Sequence, residues 1–205
     1  MYYDTWIKRV QRRHDITTRL THLTRANGDE CAFYVLNKIL KEKCIYGSTT
    51  DTGYIVGPDS AVCFQDIPLL GIAENIIYEN KLCRETGRIN KRYEPFGIRV
   101  NKQHAFRRGA REVIYGKTYE LKSILPETEW WRIVNHNLDD INKIIDWTHE
   151  REWRIKGNYT FEFTDIDVIV KDSNYYKKFI EYWMNEDPSI LTMINGINCL
   201  DSVIK

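Results

Sequence analysis

Apolar and polar positions alternate in short runs along this chain, and the period changes from run to run. Residues 15–26 (DITTRLTHLTRA) interleave β-branched, leucine and polar residues, which predicts a strand entered from a short helix over 5–13. In residues 29–44, Ala32, Val35, Leu36, Ile39 and Leu40 recur at helical spacing, with Lys38, Lys41 and Lys43 off the stripe and Asp29 as N-cap. Residues 46–60 are rich in Gly, Ser, Thr and Asp and predict a loop. A short strand, AVCFQDI, is ended by Pro68, which opens a helix running to Gly87. FGIRV predicts a strand, NKQHAFRRG a short helix closed by Gly109, and REVIYG another strand. Residues 119–145 predict mostly helix broken at Pro126. EWRIKG and TFEFTDIDVIV predict strands, and NYYKKFIEYWMNE a helix. Periodicity leaves residues 189–205 open between strand and helix. Helices interrupt the strands without the regular alternation of a doubly wound fold, so the expectation is one α+β domain over 1–205.

Composition narrows the class. The apolar share is 42% and the aromatic share 13% of 205 residues, enough for a sizeable core. No apolar run approaches the ~18 residues of a membrane span. The opening MYYDTWIKRVQRRHD lacks the apolar region of a signal peptide, so a cytoplasmic protein with no membrane partner is expected. Cys31, Cys44, Cys63, Cys83 and Cys199 are odd in number, widely spaced and without CxxC, which argues against a zinc site and a disulfide framework. No GxGxxG or P-loop pattern occurs.

The net charge of +1 conceals an uneven distribution. Between Lys81 and Arg111 ten cations face only Glu85 and Glu94; from residue 157 onward eight acids face four lysines. Such a basic stretch is either a solvated face or a surface for phosphates. Arg99, Lys102, Arg107, Arg108 and Arg111 are its candidates for nucleotide or nucleic-acid contact. Tyr93, Phe96, His104 and Phe106 are interleaved with them as candidate base-stacking or core residues. Trp130, Trp131 and Trp147 have no assigned role.

The motif richest in chemistry is DWTHEREWRIKG, residues 146–157. On a strand, Glu150 and Glu152 project to one side, because strand side chains alternate. Two such carboxylates pair with Arg151, Arg154 or Lys156 as a solvated edge, or hold a ribose and stabilise an oxocarbenium-like transition state.

The ordered blocks LTHLTR, VLNKILKEKCIYGS, AVCFQDIPL, YEPFGIRVNKQHAFRRGAREVIYG and DWTHEREWRI resemble a bacterial family of abortive-infection (AbiGi-type) proteins, over roughly residues 19–170. That family resembles ADP-ribosyltransferases, including DarT-like toxins that modify DNA. The resemblance implies split mixed or antiparallel sheets flanked by helices, with 171–205 as a C-terminal extension. It implies NAD as substrate and no metal. It implies DNA, RNA or protein as acceptor, and a cognate toxin or antitoxin as partner. By the same resemblance His22, Thr24, Arg25 and Phe64 bind NAD. Glu152 holds the nicotinamide-side ribose and favours departure of nicotinamide, and Glu150 prepares the acceptor. The chain departs from the family in Gln65-Asp66, where Ser/Thr-Glu is usual, and in having GSTT in a loop rather than a Ser-Thr-Ser strand. Two alternatives stand beside this reading: a catalytically inactive antitoxin or regulatory module of the same fold, and a nuclease or glycosidase using the two glutamates.

Overall fold

A computed structural model describes residues 1–89 and 91–204 of the protein. In chain order the elements begin with α1 (Tyr3–Gln11), β1 (Arg19–Leu23), α2 (Ala32–Glu42), β2 (Cys44–Ile45), β3 (Ala61–Gln65), α3 (Leu69–Thr86) and β4 (Gly97–Asn101). There follow α4 (Lys102–Arg107), β5 (Arg111–Glu112), β6 (Ile114–Gly116), α5 (Thr118–Ile124), β7 (Ile133–Asn135), β8 (Glu152–Lys156) and β9 (Tyr159–Thr160). The chain closes with β10 (Ile166–Val170), α6 (Ser173–Glu186), α7 (Ile190–Met193), β11 (Gly196–Cys199) and α8 (Asp201–Ile204). Strands and helices are interspersed in an α+β fold. The chain divides into two compact units, each built from separated segments: residues 1–43, 67–101 and 161–205, and residues 44–66 and 102–160. No helix among the described residues is long and apolar enough to cross a membrane.

The first unit holds a mixed sheet ordered β11-β10-β4-β1, with β10–β11 parallel and the other pairs antiparallel. Alternation makes its two faces unlike. Leu20, Ile98, Val100, Ile166, Val168 and Val170 share one face and are all buried. The opposite face carries Leu23 and Ile169. Ile169 packs with Ile72, Ala73 and Ile76 of α3, and Leu23 lies against that cluster. Gly97 pairs with Leu23, and a Cβ built on it would run into the His22 carbonyl, so glycine is required there. The predicted stripe on α2 buries Ala32, Leu36 and Leu40. It also buries Asn37, whose Oδ1 accepts a 2.8 Å bond from Trp183 Nε1 of α6. The cap of α2 is Cys31 rather than Asp29, because residues 27–30 close a tight bridge first.

The second unit holds an antiparallel sheet ordered β3-β8-β5, with two small ribbons, β2–β9 antiparallel and β6–β7 parallel. REVIYG is two strands, not one. The predicted helix of 119–145 survives only as α5. Beyond Pro126 the chain makes a 3-10 turn, Glu127–Arg132, then β7 and a loop. Trp131 explains the change: its ring is drawn into a cluster with Ile55 and Ala61, and its Nε1–H donates to the Thr128 carbonyl at 2.9 Å. Packing outweighs local helix preference here. The undecided segment 189–205 contains both structures, α7, β11 and α8.

Candidate functional site

Strand β8 opens on Glu152, directly after the 3-10 turn Thr148–Glu150. Between them Arg151 has φ 43, a left-handed conformation uncommon for a residue with a Cβ. Glu150 therefore lies outside the strand, and the two-residue alternation that would align it with Glu152 stops at Arg151. The turn is buckled by Tyr115. Its hydroxyl accepts from the Glu152 N–H at 3.0 Å and donates to the Trp147 carbonyl at 3.4 Å. Burial first, and then the charges of Glu152 and Glu150, raise the Tyr115 pKa to about 12.

Register then assembles a polar face in a buried sheet. Gln65 of β3 pairs with Glu152, and Cys63 pairs with Arg154, which pairs in turn with Arg111 of β5. Glu152 and Arg154 are 8% and 2% exposed. Charged residues are almost never so buried unless paired, and these two are. Arg154 Nε donates to Glu152 Oε1 at 2.8 Å, and Nη2 to Oε2 at 3.4 Å. The rest of the guanidinium donates to the carbonyls of Trp131 (2.8 Å), Ile133 (3.1 Å) and Tyr54 (3.3 Å). Burial opposes the charge on Arg154, but Glu152 and Cys63 outweigh it and the guanidinium pKa is raised. Burial and the Glu152 carboxylate push the Cys63 thiol well above its ordinary range, away from nucleophilic thiolate chemistry. Gln65 is 8% exposed, and its Oε1 is buried with no hydrogen-bond partner among the described residues.

The carboxylate of Glu152 is thus fixed in orientation by a saturated arginine, beside a second acceptor that lacks a donor. Two adjacent acceptors suit a ligand with paired hydroxyl donors, and the carboxylate supplies negative charge where a cationic centre develops. The sequence pointed to Glu152 and offered Arg154 among its possible ion-pair partners on a solvated edge, but it did not point to Gln65 or Tyr115. Gln65 carried one signal, as a departure from the family pattern. A long cation on a strand gives no sign that it is buried.

The other expected residues are placed as follows. Phe64 is 1% exposed, with its ring edge-to-face on Tyr159 at 5.3 Å, so stacking on a nicotinamide would require the core to open. Lys102 pairs with Asp66 at 2.6 Å, and its ammonium lies 5.9 Å from the centre of the Trp153 ring. Arg111 donates to the Phe106 and Ala110 carbonyls at 2.9 and 2.7 Å. Arg107 and Arg108 are exposed, and Arg108 bonds Thr160 Oγ1 at 2.9 Å. His22, Thr24, Arg25 and Arg99 belong to the first unit. Half-buried His22 pairs in register with Ile98, and exposed Arg25 follows β1. Thr24 is buried and donates to the Ala32 carbonyl at 2.9 Å, a structural use of its hydroxyl. Phe96 is core and Phe106 is 46% exposed. No group of three or more metal-ligating side chains occurs among the described residues. No family model matches the chain, and no curated protein or solved structure matches it.

Proposed function

We propose that the chain is an NAD-dependent ADP-ribosyltransferase-like enzyme of a bacterial toxin or phage-defence system, with Glu152 as its ribose-binding carboxylate. The observation that carries this reading is the cross-strand pair of Glu152, oriented by Arg154, and Gln65, whose buried oxygen lacks a donor. A ribose diol supplies the donors this pair calls for. In the transfer the bond between ribose C1′ and the nicotinamide nitrogen breaks, and nicotinamide leaves with the bonding electrons. A bond forms from C1′ to a nucleophilic atom of the acceptor, which loses its proton. The enzyme needs no strong acid, since nicotinamide is a good leaving group. It must orient the ribose, oppose the developing positive charge and exclude water. Glu150, in the turn before β8, is the group proposed to receive the acceptor's proton. Nucleic acid is the first acceptor class and protein the second.

The test is release of nicotinamide from labelled NAD, with and without DNA, RNA or lysate, for wild type and Glu152→Gln. Wild-type release that falls in the variant supports the enzyme; no release by either sinks it. A second reading rests on the saturation of Arg154: an ion pair so fully bonded also serves as a purely structural lock in a non-catalytic regulatory module. Such a module is harmless on expression and rescues cells from a cognate toxin.

A further inference from the structure

The polar end of the first unit's sheet holds a charge that its surroundings leave unneutralised. One row of the sheet runs Thr21, Arg99, Asp167, Gly196 across β1, β4, β10 and β11, beside the row of Leu23 and Ile169 that α3 engages. Arg19 lies one pleat further along β1 on the same side, and its Nε is 3.3 Å from Asp167 Oδ2. Two guanidiniums therefore flank one carboxylate, and only that of Arg19 is paired with it. Arg99 is the odd member. Of its five N–H donors, only one Nη2 proton has a partner among the described residues, Thr17 Oγ1 at a long 3.4 Å, and its buried Nε has none. Burial, opposed by Asp167 and reinforced by Arg19, lowers the Arg99 pKa to about 10. Thr21 is 0% exposed, and its Oγ1 too has no partner. Buried polar groups are nearly always hydrogen-bonded, and the Arg99 side chain is only half-buried, so its Nη donors remain open to a ligand from solvent. Here the orphan donors and the excess positive charge coincide. Arg19 and Asp167 keep 27% and 14% of their side chains exposed, so solvent reaches their edge of the cluster but not Thr21 Oγ1 or Arg99 Nε.

We propose that the Nη groups of Arg99, with Arg19 and Thr17, form a binding site for a tetrahedral oxyanion, a phosphate group. The anion neutralises the second guanidinium and supplies acceptors for the idle donors. Asp167 works against it and limits its affinity. The site uses no residue of the Glu152 cluster, so either proposal can fail without the other.

The experiment titrates inorganic phosphate into nitrogen-15-labelled full-length protein and follows the Arg99 Nε–H resonance, assigned by its loss in Arg99→Lys. Potassium chloride at matched ionic strength and potassium acetate are run beside it. The expected result is a saturable shift with phosphate, stronger than with acetate and absent with chloride. The thermal midpoint should rise with the logarithm of phosphate concentration. Asp167→Asn should tighten phosphate several-fold, because it removes the opposing charge. No saturable shift, or a response to phosphate no larger than to chloride, means that water alone fills the site and overturns the proposal. Weaker phosphate binding in Asp167→Asn overturns it equally.

Discussion

Glu152 holds Arg154 in place and, under the proposed function, also serves catalysis; different substitutions separate the two. Glu152→Gln keeps a hydrogen-bonding partner for Arg154 and removes the charge. It should leave the fold intact while lowering nicotinamide release by about 10²–10³, the cost of losing one electrostatic stabiliser. Glu152→Ala strands the buried guanidinium, and breaking a buried pair costs about 3–5 kcal/mol. The urea midpoint should fall sharply for Ala and little for Gln. Equal midpoints would show that the pair does not hold β8 to the turn that carries Trp131. The sequence made Glu152 legible as an acid in an aromatic-basic strand. It did not show that Glu150 leaves that strand, because a left-handed residue with a side chain, Arg151, leaves no mark in composition.

At the scale of the element, alternation and helical spacing located most strands and helices, since each rests on a buried face. They failed where one side chain decides. Trp131 converts an expected helix into a 3-10 turn, and Asn37 enters an apolar stripe to meet Trp183. Asn37→Ala leaves the indole N–H buried and unpaired and should cost about 1–3 kcal/mol. A loss under half of that, measured by denaturant melts, would mean the α2–α6 lock is unimportant. Helix α6 is started by Asp172, whose carboxylate accepts from the Asn174 and Tyr175 N–H groups, both at 3.0 Å. Asp172→Ala should cost about 1 kcal/mol. These bonds, chiefly the one from Tyr175, lower the Asp172 pKa. The folded state therefore holds that proton less tightly than the unfolded chain. The contribution is full above the unfolded value of about 3.9 and fades as pH falls through the lower folded value. Asp172→Asn keeps a capping oxygen without a charge, so its melting temperature should depend less on pH in that window than wild type's.

For the whole molecule, the sequence suggested one basic tract for phosphates, and the fold distributes it. Lys81 to Arg99 belong to the first unit and Lys102 to Arg111 to the second. Several of these cations are committed inside the protein: Arg88 to Glu79, Lys102 to Asp66, and Arg111 to backbone carbonyls. Charge counted along the chain does not show which cations the fold consumes, nor that Arg99 is left with idle donors. The interleaving of the two units was equally hidden, because it depends on which distant strands pair. Nicotinamide release from carbonyl-labelled NAD is the decisive measurement for the proposed role of Glu152 in ADP-ribosyl transfer. Wild type should release nicotinamide, faster with its nucleic-acid or protein acceptor, and Glu152→Gln should release it about 10²–10³ more slowly at equal folded concentration. No release from wild type with any acceptor, or equal release from both proteins, would overturn that role.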